Sequence, residues 1–100
     1  MSALNIAVID DDDAVLDSLR LYFARQTIET SCFTSAKDFL TALETGRRFD
    51  CVVSDVRMPG MSGLDLVHHL KANGVSTPIV LITGHGDVDM AVAAIKVGAF

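Results

Sequence analysis

Three short apolar runs in this chain each end on a side-chain oxygen, and that repetition narrows the possible folds more than any other feature. Ile6-Ala7-Val8-Ile9 runs into Asp10, Asp11, Asp12 and Asp13. Cys51-Val52-Val53-Ser54 runs into Asp55, and Ile79-Val80-Leu81-Ile82 runs into Thr83 and then Gly84. Unbroken apolar runs of this kind suit strands covered on both faces, as parallel strands are. Parallel strands ending this way deliver their polar side chains to one edge of the sheet, and in open α/β sheets that edge is where ligands bind. After Asp55 the stretch Arg57-Met58-Pro59-Gly60 turns the chain sharply away.

The segments between these runs read as helices. Asp12 is placed to cap a helix from Asp13 to about Arg25, with Val15, Leu19, Tyr22 and Phe23 as its buried stripe. A more polar strand from about Ile28 to Phe33 fits an edge position. Ser35 opens a second helix, where Asp38 three residues on approximates a capping box; Phe39, Leu40 and Leu43 face inward and Gly46 ends it. The loop Met58 to Gly63 holds two glycines and a proline, which fix a turn and let backbone approach closely. A third helix from about Leu64 to Asn73 turns Leu66, Val67 and Leu70 inward and stops at Gly74. Pro78 starts the next strand, and Asp87 caps a fourth helix that ends at Gly98. Strands alternating with helices indicate βαβ units and a parallel sheet.

At 100 residues the chain is the size of one domain, and half its residues are hydrophobic, yet no apolar run reaches the length of a membrane span. No signal peptide is expected, because Asn5 and the acids follow the first apolar residues closely. A net charge of −5 makes the segment a poor ligand for nucleic acid. Cys32 and Cys51 read as buried free thiols of a cytoplasmic protein, and no His/Cys spacing suits zinc. His68, His69 and His85 read as surface residues.

Asp11 and Asp55 should end neighbouring strands, with Asp10 and Asp12 beside them. Crowding carboxylates raises the cost of ionising them all, and a cation relieves it. An all-oxygen donor set suits Mg²⁺. Asp11 and Asp55 are assigned as side-chain ligands, the backbone carbonyl of Arg57 as a third, and Asp10 as acting through a water. A carboxylate can also be a nucleophile in phosphoryl transfer. Asp55 would then accept the phosphoryl group, Thr83 would hydrogen-bond one of its oxygens, and Gly84 would leave room for the donor. Alone, an acidic cluster is usually a solvated helix start, and an Asp after a strand is usually a turn residue. Their joint placement at the ends of apolar strands argues against the bland readings.

The segments Ile9-Asp10-Asp11-Asp12, Ser54-Asp55-Val56-Arg57-Met58-Pro59-Gly60-Met61-Ser62-Gly63 and Leu81-Ile82-Thr83-Gly84-His85-Gly86-Asp87 resemble the receiver domain of two-component response regulators. Thr83 to Asp87 and Met90-Ala91-Val92 are most similar to receivers of the FixJ and NtrC/DctD groups. The resemblance implies a flavodoxin-like, doubly wound parallel sheet with strand order 2-1-3-4-5. It implies phosphorylation of Asp55 by a sensor histidine kinase, Asp10 and Asp11 as the acidic pair for Mg²⁺, and Thr83 as the switch hydroxyl. The chain would be a signalling switch rather than an enzyme, moving the loop after Thr83 and helix four to control a transcriptional output domain through which alone DNA is reached.

The family also has a lysine at the end of strand five and an aromatic residue within that strand. The sequence stops at Phe100, and Lys96 lies inside helix four. Residues 1–100 therefore read as one receiver domain incomplete at its C-terminus, with strand five and helix five absent and strand four an unpaired apolar edge. On helix four, Ala91, Ala94 and Ile95 would face the sheet. Met90, Ala93 and Val97 would form a lateral stripe for homodimerisation or effector contact. Two other possibilities remain at this point. Asp11-Asp12-Asp13-Ala14-Val15 is similar to the nucleophile motif of haloacid-dehalogenase-type phosphohydrolases, with Asp11 as nucleophile and Asp13 as acid/base. The chain would alternatively be a pseudo-receiver that binds partners without phosphorylation.

Overall fold

The computed structural model describes residues 4–82. The elements run β1 (Asn5–Ile9), α1 (Asp13–Ala24), β2 (Glu29–Phe33), α2 (Ala36–Glu44), β3 (Cys51–Asp55), α3 (Gly63–Ala72) and β4 (Ile79–Ile82). All strand pairs are parallel and the sheet order is β2-β1-β3-β4. This is the flavodoxin-like arrangement, and among the described residues it holds four strands. The chain leaves β1 for β2 on one side and returns to β3 on the other, so the direction of winding reverses between β1 and β3.

Alternation along each strand divides the core. Ala7, Ile9 and Val52 meet α2 and α3 through Ala36, Phe39, Ala42, Leu66 and Leu70. Ile6, Val8, Val53, Val80 and Ile82 form the opposite face with Leu16 and Leu19 of α1. Both faces of β1 and β3 are covered, which is why these strands read as continuous apolar runs.

Packing differs from the sequence expectation in detail. On α1 the fully buried residues are Leu16 and Leu19, with Val15 and Phe23 half-buried, while Tyr22 is 46% exposed and lies edge-on against the Phe23 ring. The stripe is thus rotated toward Leu16. On α2, Phe39 is buried between Ala36 and Ala42, and Leu40 and Leu43 are only half-buried. Small alanines let the helix approach the sheet, and a search for large apolar residues passes over them. The reciprocal capping box forms at α3, between Ser62 and Asp65; at α2, Ser35 accepts the Asp38 N–H. Asp12 caps α1 by accepting the Ala14 N–H at 2.9 Å. Both cysteines are free thiols, and Cys51 is half-buried, but Cys32 is exposed because β2 is the sheet's edge. His68 and His69 are exposed on α3. No helix among the described residues is long and apolar enough to cross a membrane. Helix four with its apolar stripe, His85 and Lys96 lie outside the described residues.

The turn from α1 into β2 contains the one non-glycine residue with positive φ among those described, Thr27 at φ 61°. The Thr27 and Ile28 N–H groups donate to the Ala24 and Phe23 carbonyls at 3.1 and 3.0 Å, which closes the helix in the geometry that glycine ordinarily occupies. A β-branched residue is strained there. Replacing Thr27→Gly should therefore raise stability by about 1 kcal/mol after the entropy lost by glycine is counted. Thermal or urea unfolding of the two chains checks this.

Candidate functional site

The site is built by the β1–β3 pairing. Ile9 lies opposite Ser54, which places the residues that follow, Asp10 and Asp55, side by side at the carboxyl edge where the winding reverses. One carboxylate oxygen from each of Asp10, Asp11 and Asp55 falls within 4.8 Å of the others. The sole ion pair among the described residues, Arg20 with Asp17, lies on α1 and involves none of these three carboxylates.

The four consecutive acids have separate roles. Asp10 extends the ladder by donating its N–H to the Phe33 carbonyl at 3.1 Å, and its side chain, 4% exposed, accepts the Asp12 N–H at 2.9 Å. Asp11 is exposed and turns its carboxylate to the shared space. Asp12 is the helix cap, and Asp13 is an exposed residue of the first helical turn, outside the converging group. Spacing alone suggested that Asp10 acts through a water. In the structure one of its carboxylate oxygens lies within 4.8 Å of those of Asp11 and Asp55.

Burial pushes the Asp10 carboxyl above the ordinary aspartate range. The Asp12 N–H opposes this, and the charges of Asp55, Asp11 and Asp12 add to the rise. An ionised Asp10 is therefore held at a cost.

Asp55 closes β3, is half-buried, and accepts the Arg57 N–H on Oδ1 at 3.2 Å. That bond folds the chain back over the acid and leaves Oδ2 without a hydrogen bond among the described residues. Ser54 beneath it is fully buried and donates its hydroxyl to the Asp55 carbonyl at 3.0 Å. The following loop is tied down at several points. Val56 donates to the Ile82 carbonyl and Gly63 donates to the Val56 carbonyl, at 2.8 and 2.9 Å. Met58 is buried in the α2–α3 core. A Cβ on Gly63 would overlap the Asp55 carbonyl oxygen and come within 2.9 Å of Leu81 Cδ2 and 3.0 Å of Val56 Cα. Met58 is the residue that sequence reasoning missed; an apolar side chain inside a turn was the available signal. Arg57 lies in the turn as expected, and Thr83 falls outside the described residues.

A family model described as the response regulator receiver domain matches residues 6–100. The chain belongs to this family. It is 48% identical over 95 residues to the transcriptional regulatory protein FixJ of Bradyrhizobium diazoefficiens, covering 95% of this chain and 46% of that protein. It is 46% identical over 94 residues to the response regulator protein TodT of Pseudomonas putida, covering 94% of this chain and 41% of TodT. The receiver chain thus spans less than half the length of these relatives. Full-length FixJ from B. japonicum superposes with a TM-score of 0.77 at 46% identity, over 98% of this chain and 48% of that one. The structure titled FixJ-N gives 0.75 at 36% identity, over 98% and 78% respectively.

Two consequences are measurable. The raised Asp10 carboxyl favours the fold fully when protonated, and that contribution is lost as pH rises through its folded-state value. In metal-free buffer, Asp10→Asn should match the parent near pH 4 and exceed it in Tm near pH 7. Gly63→Ala should lower stability by about 1–3 kcal/mol, the usual cost of overpacking, as read by urea unfolding.

Proposed function

We propose that this receiver is a phospho-accepting switch in which Asp55 takes a phosphoryl group from a sensor histidine kinase. The observation that carries the proposal is the convergence of Asp10, Asp11 and Asp55 at the winding reversal, away from the one ion pair among the described residues. In the transfer a carboxylate oxygen of Asp55 attacks the phosphorus of the phosphohistidine. An O–P bond forms, the N–P bond breaks, and the electron pair leaves with the imidazole. The Arg57 N–H engages Oδ1 and leaves Oδ2 as the oxygen available for the attack. Main-chain groups of the tethered turn hold the acceptor in place, which is the chief contribution a protein makes to such a transfer.

The acidic group fits a divalent cation. Its donors are all oxygen, one carboxylate is buried at a cost, and three negative charges share a small space. Asp10, Asp11 and Asp55 would hold Mg²⁺ together with the Arg57 backbone carbonyl. When bound, the ion offsets this repulsion and the charge on the phosphoryl oxygens. Thr83 is the proposed switch hydroxyl, and the loop after it, with helix four, the element that conveys the change or mediates homodimerisation. Relatives named as transcriptional regulators support a transcriptional output on a separate domain, which this acidic segment would need in order to reach DNA. A cytoplasmic location follows from that role.

The test is incubation of the full-length protein with a small acyl-phosphate donor and Mg²⁺, followed by mapping of the modified aspartate. Label on Asp55, lost in Asp55→Asn, is expected. Label on Asp11 with sustained turnover would favour the phosphohydrolase, and no label would favour a partner-binding module. Separately, Mg²⁺ should raise Tm of the parent by an amount equivalent to about 2.7 kcal/mol at a hundredfold excess over Kd. Asp55→Asn should remain folded and lose most of that increment.

A further inference from the structure

We propose that the open edge of β2 is a self-association surface that pairs with β2 of a second copy. The proposal is independent of the phosphoryl-transfer reading. Glu29 N–H donates to the Leu4 carbonyl and the Phe33 carbonyl accepts from Asp10 N–H, so residues 29, 31 and 33 direct their backbone groups toward β1. Parallel pairing then turns the N–H and C=O groups of Thr30 and Cys32 outward. No proline, bulge or lysine guards this edge, the usual protections of an exposed strand. A shallow cavity of about 650 Å³ opens beside it, lined by Arg20, Ala24, Thr30, Ser31 and Arg47 among others.

The choice of a second copy over another partner comes from charge and register. Take an antiparallel pairing with its two-fold axis at Ser31. Thr30 then stands opposite the second copy's Cys32, and the outward groups of both strands are satisfied. Glu29 stands opposite the second copy's Phe33, on the same face of the joined sheet and with Cα atoms about 4.5 Å apart. That face is where Arg47 lies: its guanidinium is 5.6 Å from the Phe33 centroid and 5.1 Å from the Phe49 centroid, and it donates to Ser31 Oγ at 2.8 Å. The exposed Glu29 carboxylate is thereby brought to the second copy's Arg47, and the two-fold axis makes the pair occur twice. An acid at one end of a short strand and a cation held over the half from Ser31 to Phe33 are self-complementary only in the antiparallel sense.

Sedimentation velocity of the unphosphorylated full-length protein over a wide concentration range tests this. The parent should show a reversible monomer–dimer equilibrium. Glu29→Arg or Arg47→Glu alone should weaken it about tenfold or more. An equimolar mixture of the two variants should recover it, because one chain then brings two cations to the paired positions and the other two anions. Cys32→Pro removes an outward N–H without touching the β1 ladder. It should keep the parent's circular dichroism and lose the dimer. A protein that stays monomeric throughout would overturn the proposal. So would a dimer indifferent to all three variants, since association through helix four or through β4 leaves these residues uninvolved.

Discussion

Mutual repulsion among Asp10, Asp11 and Asp55 is the tension around which the receiver is arranged. Nothing in the acids themselves keeps them within 4.8 Å. They are held there by the β1–β3 register, which is fixed in turn by the apolar side chains of both strands on two faces of the sheet. Slipping that register by one residue would move every side chain of a strand to the wrong face. The hydrophobic core therefore holds together charges that would otherwise separate.

The surrounding structure limits that repulsion without cancelling it. The Asp12 N–H supports the Asp10 carboxylate and the Arg57 N–H supports that of Asp55. Each comes from the residue two positions on, so each acid carries its own partner from the local turn. What the fold leaves uncompensated is charge, and the fit to a divalent cation follows from this.

Much of the arrangement was legible in the sequence because parallel strands write their burial plainly. The runs Ile6 to Ile9 and Val52 to Val53 are apolar without a break because both sheet faces are covered, and the acids that follow them had one edge to occupy. Helix faces were less legible. Leu16 and Tyr22 exchanged places relative to expectation because the stripe on α1 is narrow and either set of spacings satisfies a helical period. Ala36 and Ala42 were overlooked because their part is closeness rather than bulk. Among four consecutive aspartates the cap at Asp12 was legible from its place before the helix, whereas the burial of Asp10 beside an exposed Asp11 was not. It depends on which carboxylates turn inward at the β1–α1 junction, and identical residues carry no such mark. Met58 was hidden for the converse reason, a core residue inside a segment whose glycines and proline announce a turn.

The contact at Gly63 has a mechanical consequence. The first residue of α3 lies directly against the main chain of Asp55, with no room between them for even a methyl group. β3 and α3 therefore abut at this point, and neither can move toward the other without displacing main chain.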